Sequence, residues 1–237
     1  MYSWILIAAA IAGIAAAMRG LLAWQRQPSN LLLFTLIALA AAIVSTLLAG
    51  LGASVGRGDA LREWWAVPTL LGIFALPLTL FTHATLSRRI GFAWARIDWG
   101  HGTLCLIAVA LLLNGLREIP ALQALQPACW KDVIWYQHAV PAAFQCVGAD
   151  AGPALPLPPL SLLAVLGAWT GLGLGLGLRR QRPGFALTIA VALLLVAAAA
   201  VAGPLLWFIG QLTAFAAIAL LTASYAGLLA TRPADEP

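Results

Sequence analysis

Charge is what this chain has least of. Of its 237 residues only 9% are Asp, Glu, Lys or Arg, against 62% hydrophobic, and the mean hydropathy is +0.95. A water-exposed surface needs far more polar cover, so a soluble globule is excluded, and intrinsic disorder with it. Lysine is scarcer still: Lys131 is the only one. It falls in a connecting segment, so no transmembrane amine exists to form a Schiff base with a retinal-type aldehyde. Three cysteines without a CxxC pair exclude a disulfide-framework domain and give no thiol-exchange motif. The metalloprotease HExxH, a nucleophile-elbow serine, paired glutamates and a DxxDG-like phosphotransferase signature are all missing. No internal repeat is evident, so an inverted-repeat transporter is not indicated.

What is there is a series of apolar runs, each about as long as a bilayer crossing requires. The first spans Trp4–Leu22. With its positive charge after the run instead of before it, it reads as a retained helix with an exported N-terminus, not a cleaved signal. Leu31–Val55 follows, opened by Pro28-Ser29-Asn30. Trp65–Leu86 carries Pro68 and Pro77, which should kink it. Trp99–Leu116 and Leu160–Leu178 make a fourth and a fifth. Phe185–Ala230 is too long for one crossing, and Gly203-Pro204 and Gly210-Gln211 mark the expected turn between a sixth and a seventh. The expected fold is an all-α polytopic bundle of about seven helices, a single transmembrane domain over residues 1–237.

The net charge of +5 and the pI near 9.7 do not imply a nucleic-acid partner, because most of the arginines sit in short loops. Alternate loops sort by charge. One side takes Arg26, then Arg88, Arg89 and Arg96, then Arg179, Arg180 and Arg182, and finally Arg232. The other takes Arg57 and Arg62, balanced by Asp59 and Glu63, and a loop where Glu118, Asp132 and Asp150 outweigh Arg117 and Lys131. By the positive-inside rule the N-terminus is exported and the C-terminal tail is cytoplasmic. The Arg-over-Lys and Ala/Leu-rich composition fits a bacterial inner membrane.

The loop over residues 117–159 is the one sizeable extramembrane piece, and it is aromatic. Trp130, Trp135, Tyr136 and Phe144 alternate with Lys131, Asp132, Gln137 and His138. The expectation is a short helix in the headgroup layer with its rings facing the acyl chains. Cys129 and Cys146 flank it, and on the exported side a disulfide stapling this cap is expected. The stretch 152–159 is rich in proline and returns the chain to the membrane as an extended spacer.

Two overlapping GxxxG pairs occur in the fifth run, Gly171 with Gly175 and Gly173 with Gly177. Small residues at this spacing let helix backbones approach, within the bundle or against a partner. The alternating GLGLGLGL is not a phosphate loop, since it lacks the lysine and the aqueous setting.

Ionisable side chains inside a membrane are costly and usually functional. The candidates are His83, Asp98 and His101, with Cys105 one turn beyond His101 and on its face. Two imidazoles and a carboxylate would suit a transition metal, and two imidazoles alone a haem; the plainer reading places both histidines in the headgroup layer with Asp98 as a helix cap. A second constellation is a belt at the exported face: Arg57, Asp59, Arg62, Glu63, Trp64 and Trp65 opposite Asn114, Arg117 and Glu118. Together with Trp130, Trp135 and Tyr136, Trp64 and Trp65 are the candidate lipid- or partner-binding residues. The function these features favour is a non-catalytic membrane subunit or assembly partner, contacting lipid and another membrane protein or a second copy of itself. Two other readings stand beside it. One is a metal- or haem-dependent oxidoreductase or lipid-modifying enzyme built on His83, Asp98 and His101. The other is a small-molecule transporter with Ser45, Thr46, Thr79, Thr170 and Thr222 lining its path.

Overall fold

The structure, a computed structural model, describes residues 1–56, 58–117, 119–137, 140, 144, 146, 160–179 and 183–227. Arg57, Glu118, His138, Asp150, Arg180, Arg182, Arg232 and the proline-rich stretch 152–159 lie outside them. Eight α-helices are described: α1 Tyr2–Arg26, α2 Asn30–Val55, α3 Asp59–Ile90, the single turn α4 Ala93–Arg96, α5 Asp98–Leu116, α6 Leu160–Leu178, α7 Pro183–Ala202 and α8 Pro204–Ser224. Five of them, α1, α2, α3, α5 and α8, are long and apolar enough to cross a membrane; in α6 and α7 the described apolar runs, Leu162–Leu178 and Pro183–Ala199, are shorter.

Helices dominate because a backbone without water must close its hydrogen bonds within its own segment. The serine and threonine hydroxyls obey the same constraint. Thr35, Ser45, Thr46, Thr79, Thr170 and Thr222 each donate to a carbonyl three or four residues earlier in their own helix. Thr82 is different: its hydroxyl donates to the Leu31 carbonyl at 2.9 Å and ties α3 to α2.

At the centre lies α2, in contact with α1, α3 and α8, while α5 packs on α3 and α6 bridges α3 and α7. Glycine and alanine make these approaches close. A Cβ on Gly13 would sit 2.8 Å from Leu212 Cδ1, and one on Gly50 would sit 2.9 Å from the Ser3 carbonyl oxygen. α3 stops at Gly91, whose φ of +89° only glycine adopts easily; the Phe92 N–H then reaches back to the Ser87 carbonyl in a closing turn.

Several sequence expectations change. α3 starts at Asp59, ahead of Trp65, because a polar first turn with an acidic residue suits a helix N-terminus. Pro68 and Pro77 both lie within it. The break before α8 falls at Gly203-Pro204 alone, where Gly203 has φ +105° and Pro204 occupies the first helical position. Gly210 lies inside α8, and a Cβ there would meet Val196 Cγ2 of α7 at 2.8 Å, so it serves helix packing and not a turn.

The largest departure from an all-α chain is the cap. Where an interfacial helix was expected, a 3-10 turn, Ile119–Ala124, leads into an antiparallel hairpin of β1, Gln126–Trp130, and β2, Val133–Gln137. Trp130 pairs with Val133, so the turn is Lys131-Asp132, and Lys131 takes a φ of 54°. The hairpin does not float at the interface. Leu125, Ala128, Val133, Trp135, Tyr136 and Phe144 form a second core with Leu6, Leu48, Leu61, Trp65 and Phe208 at the helix ends. Val133, Trp135 and Tyr136 of β2 are buried in it.

Of the glycines in α6, Gly173 and Gly177 face α7: a Cβ on Gly173 would lie 2.9 Å from Ile189 Cγ2, and one on Gly177 would lie 3.1 Å from Ala186 Cβ. Gly175 instead receives the Phe92 ring, and Gly171 meets nothing within 4 Å. Only one GxxxG pair is therefore a helix seam. Gly173→Leu should lower stability by about 1–3 kcal/mol through overpacking against α7, whereas Gly171→Ala should be neutral or better. Thermal melts of both variants in detergent check this, and equal loss in the two would contradict the assignment.

Candidate functional site

Contacts gather several loops at the hairpin's end of the bundle. The Met1 ammonium donates to Asp132 Oδ2 at 2.5 Å, and the Ser3 N–H to the same oxygen at 3.2 Å. Lys131 Nζ donates to the Tyr2 hydroxyl at 2.8 Å and lies over the Tyr2 and Trp130 rings. Tyr136 donates to the Gly58 carbonyl at 3.2 Å, so the start of α3 is fixed to β2. Two glycines let the hairpin sit this low. A Cβ on Gly52 would lie 2.7 Å from the Ile134 carbonyl oxygen, and one on Gly203 would lie 2.7 Å from the Trp130 indole. Cys129 and Cys146 form the expected disulfide and close a loop that contains Phe144, which packs 5.5 Å from Trp135.

Beneath this roof is a cavity of about 300 Å³, lined by α2, α3, α5, α8 and β2. Its walls are largely aromatic: Trp65, Trp135, Tyr136, Trp207, Phe208 and Phe215. Three carboxamides line it from three different elements, Asn114 on α5, Gln137 on β2 and Gln211 on α8. No Asp, Glu, Lys, Arg, His or Cys is among its described lining residues. The hydroxyls in the wall have committed their protons, Ser45 to the Ala42 carbonyl, Thr69 to that of Trp65 and Tyr136 to that of Gly58. The Gln137 side-chain nitrogen is buried and has no hydrogen-bond partner. A buried amide without a partner is costly.

Trp65, Trp135 and Tyr136 thus turn inward at 5–6% exposure, whereas the rings of Trp135 and Tyr136 were expected to face the acyl chains. Trp64 points outward, 52% exposed, and Trp130 packs on Tyr2 with ring centroids 5.1 Å apart. Of the expected charged belt, Arg62 pairs with Asp59 at 3.0 Å within the first turn of α3. Asn114 belongs to the cavity.

The metal set suggested by the sequence is not assembled. Among the described residues no three His, Cys, Asp or Glu side chains are grouped to hold an ion. Asp98 is exposed and pairs with Arg88 at 3.4 Å, and the His101 Nδ1 lies 3.7 Å from Cys105 Sγ, one turn along the same helix. His83 is 3% exposed and enclosed by two indoles, stacked 5.8 Å from Trp94 and edge-on 5.3 Å from Trp169. Neither of its nitrogens makes a formed hydrogen bond, although the Ala168 backbone is near. The physical reason is placement: α3 buries His83 inside the bundle, while α5 leaves Asp98 and His101 at its margin. The hydroxyls weighed as a transport path are back-bonded within their helices, and of them only Ser45 reaches the cavity.

The cavity eluded sequence reading because its walls come from five elements. The signals present were Gln137 beside Tyr136 and Gln211 close to Trp207 and Phe208, while Asn114 has no aromatic neighbour in the chain.

No protein-family model, no curated protein and no solved structure matches the chain.

The Asp132 carboxyl is held at about 2, chiefly by the hydrogen bond from the Met1 ammonium, with the Ser3 N–H helping and partial desolvation opposing. A depressed carboxyl contributes stability that is complete above its ordinary value near 4 and is lost as pH falls through its folded value. Wild type should therefore lose stability relative to Asp132→Asn between about pH 4 and pH 2. Melting temperatures of both proteins across that range test it, and parallel curves would show that the contact contributes nothing.

Proposed function

We propose that the chain is a multi-pass protein of a bacterial inner membrane, acting as a non-catalytic subunit that holds a small ligand in the cavity beneath its hairpin. In this reading seven helices cross the bilayer, the N-terminus and hairpin are exported, and the arginine-bearing loops face the cytoplasm. The charge sorting of alternate loops supports that orientation. Contacts among Met1, Ser3, Gly52, Gly58, Gly203 and the hairpin support one shared end for them.

The observation that carries the reading is the make-up of the cavity wall. Acid–base and nucleophilic catalysis need a titratable or activated group within reach of the substrate, and the described lining residues supply only amides, committed hydroxyls and aromatic rings. Binding needs less: an enclosed apolar space and a few aimed polar groups. Membership of a larger assembly is supported by α5, which is attached mainly along α3 and leaves Leu106, Val109 and Leu113 exposed. A face of that kind meets either lipid or another helix.

Native mass spectrometry of the full chain released from mild detergent tests the assembly. A stoichiometric second polypeptide or second copy is expected, and Leu106→Trp with Leu113→Trp should remove it while the melting temperature holds. A monodisperse monomer from membranes in which the protein is expressed at its natural level would overturn the subunit role.

A further inference from the structure

Resting on the reading of the cavity as a binding site, we propose that its ligand is a neutral, flat, carbonyl-bearing amphiphile of the membrane-quinone class, whose carbonyl accepts from Gln137. Three features of the wall select that chemistry.

The first is charge. With no ionised side chain among the described lining residues, a phosphate or ammonium headgroup would lose its hydration without a counter-charge. A neutral head avoids that cost. The second is shape. Trp65, Trp135, Tyr136, Trp207, Phe208 and Phe215 offer ring faces and edges, which stack on a planar unsaturated head more favourably than on a branched one. The third is hydrogen bonding. Ser45, Thr69 and Tyr136 have committed their protons, so the carboxamides and the indoles of Trp65, Trp135 and Trp207 supply the donors, and the Gln137 amide nitrogen is the buried donor among them without a partner. A carbonyl oxygen on the ligand completes it.

Size adds a fourth constraint. About 300 Å³ is at the small end of ligand pockets, enough for a substituted ring but not for a long tail as well. The tail must therefore leave the cavity. Free space exists along the wall: a Cβ on Gly72 of α3 would have no neighbour within 4 Å, and Asn114 of α5 lines the cavity yet is exposed. The tail would leave beside the Gly115–Ile73 contact of these two helices, whose outer surfaces there, Phe74 and Leu113, are apolar.

The test is a titration of the full-length protein in detergent, followed by isothermal calorimetry. Decylubiquinone, decylbenzene and phosphatidylglycerol are the probes, with wild type, Gln137→Leu and Gly72→Phe compared at matched melting temperatures. Decylubiquinone should bind saturably at one site. Gln137→Leu should weaken it about tenfold while leaving decylbenzene unchanged, as loss of one buried hydrogen bond implies. Gly72→Phe fills the free space and should abolish both. Decylubiquinone binding that Gln137→Leu leaves intact would overturn the proposed pairing, and tighter binding of phosphatidylglycerol would overturn the neutral head, with the cavity still a binding site in either case. If neither neutral probe saturates, or Gly72→Phe changes nothing, the cavity itself is not the site and the underlying reading falls too.

Discussion

A backbone surrounded by hydrocarbon has to satisfy every hydrogen bond internally, and nearly every feature of this chain follows from that demand. It makes the long segments helical and turns serine and threonine hydroxyls back onto their own carbonyls. Packing then rests on close approach, because burial of apolar groups gives little gain between helices that are already in lipid. Gly13, Gly50, Gly173 and Gly210 each stand where a Cβ would collide with a neighbouring helix.

The hairpin is where that regime ends. A two-stranded ribbon has little stability alone, so this one is held from several directions. The disulfide from Cys129 to Cys146 closes it, the Met1 ammonium and Ser3 grip its turn, and Gly52 and Gly203 let it settle onto α2 and the α7–α8 turn. Seated so low, β2 presents Trp135, Tyr136 and Gln137 to the helices, and the gap left between ribbon and bundle is the cavity. The same seating that stabilises the cap thereby produces the candidate site.

The helical segments were legible in the sequence because lipid imposes a length and a polarity that few alternatives satisfy. Their ends were less so: the polar turn from Asp59 to Trp64 belongs to α3, and Gly210 reads as a breaker although it packs against Val196. The hairpin was hidden for a definite reason. Its turn is Lys131-Asp132 instead of an Asn-Gly or Asp-Gly pair, and β1 carries Pro127, which gives no backbone donor. Aromatic residues carry no label for inside or outside, so Trp65 and Trp64, adjacent in the chain, cannot be told apart until the helix is docked. The cysteine staple was visible from compartment and spacing. The histidines were visible too, but not their isolation, which depends on how α3 and α5 pack.

Everything proposed for the cavity assumes that α3 crosses the bilayer and that the hairpin's end faces outward. The direct measurement is cysteine accessibility in spheroplasts, in a chain where free Cys105 is replaced by alanine. Asp59→Cys, beside the hairpin, and Leu178→Cys, at the arginine-bearing end, are both at highly exposed positions. A membrane-impermeant maleimide should label the first in intact spheroplasts and the second only after the membrane is opened. Labelling of both from the same side, or of Leu178→Cys alone from outside, would contradict the orientation and the account built on it.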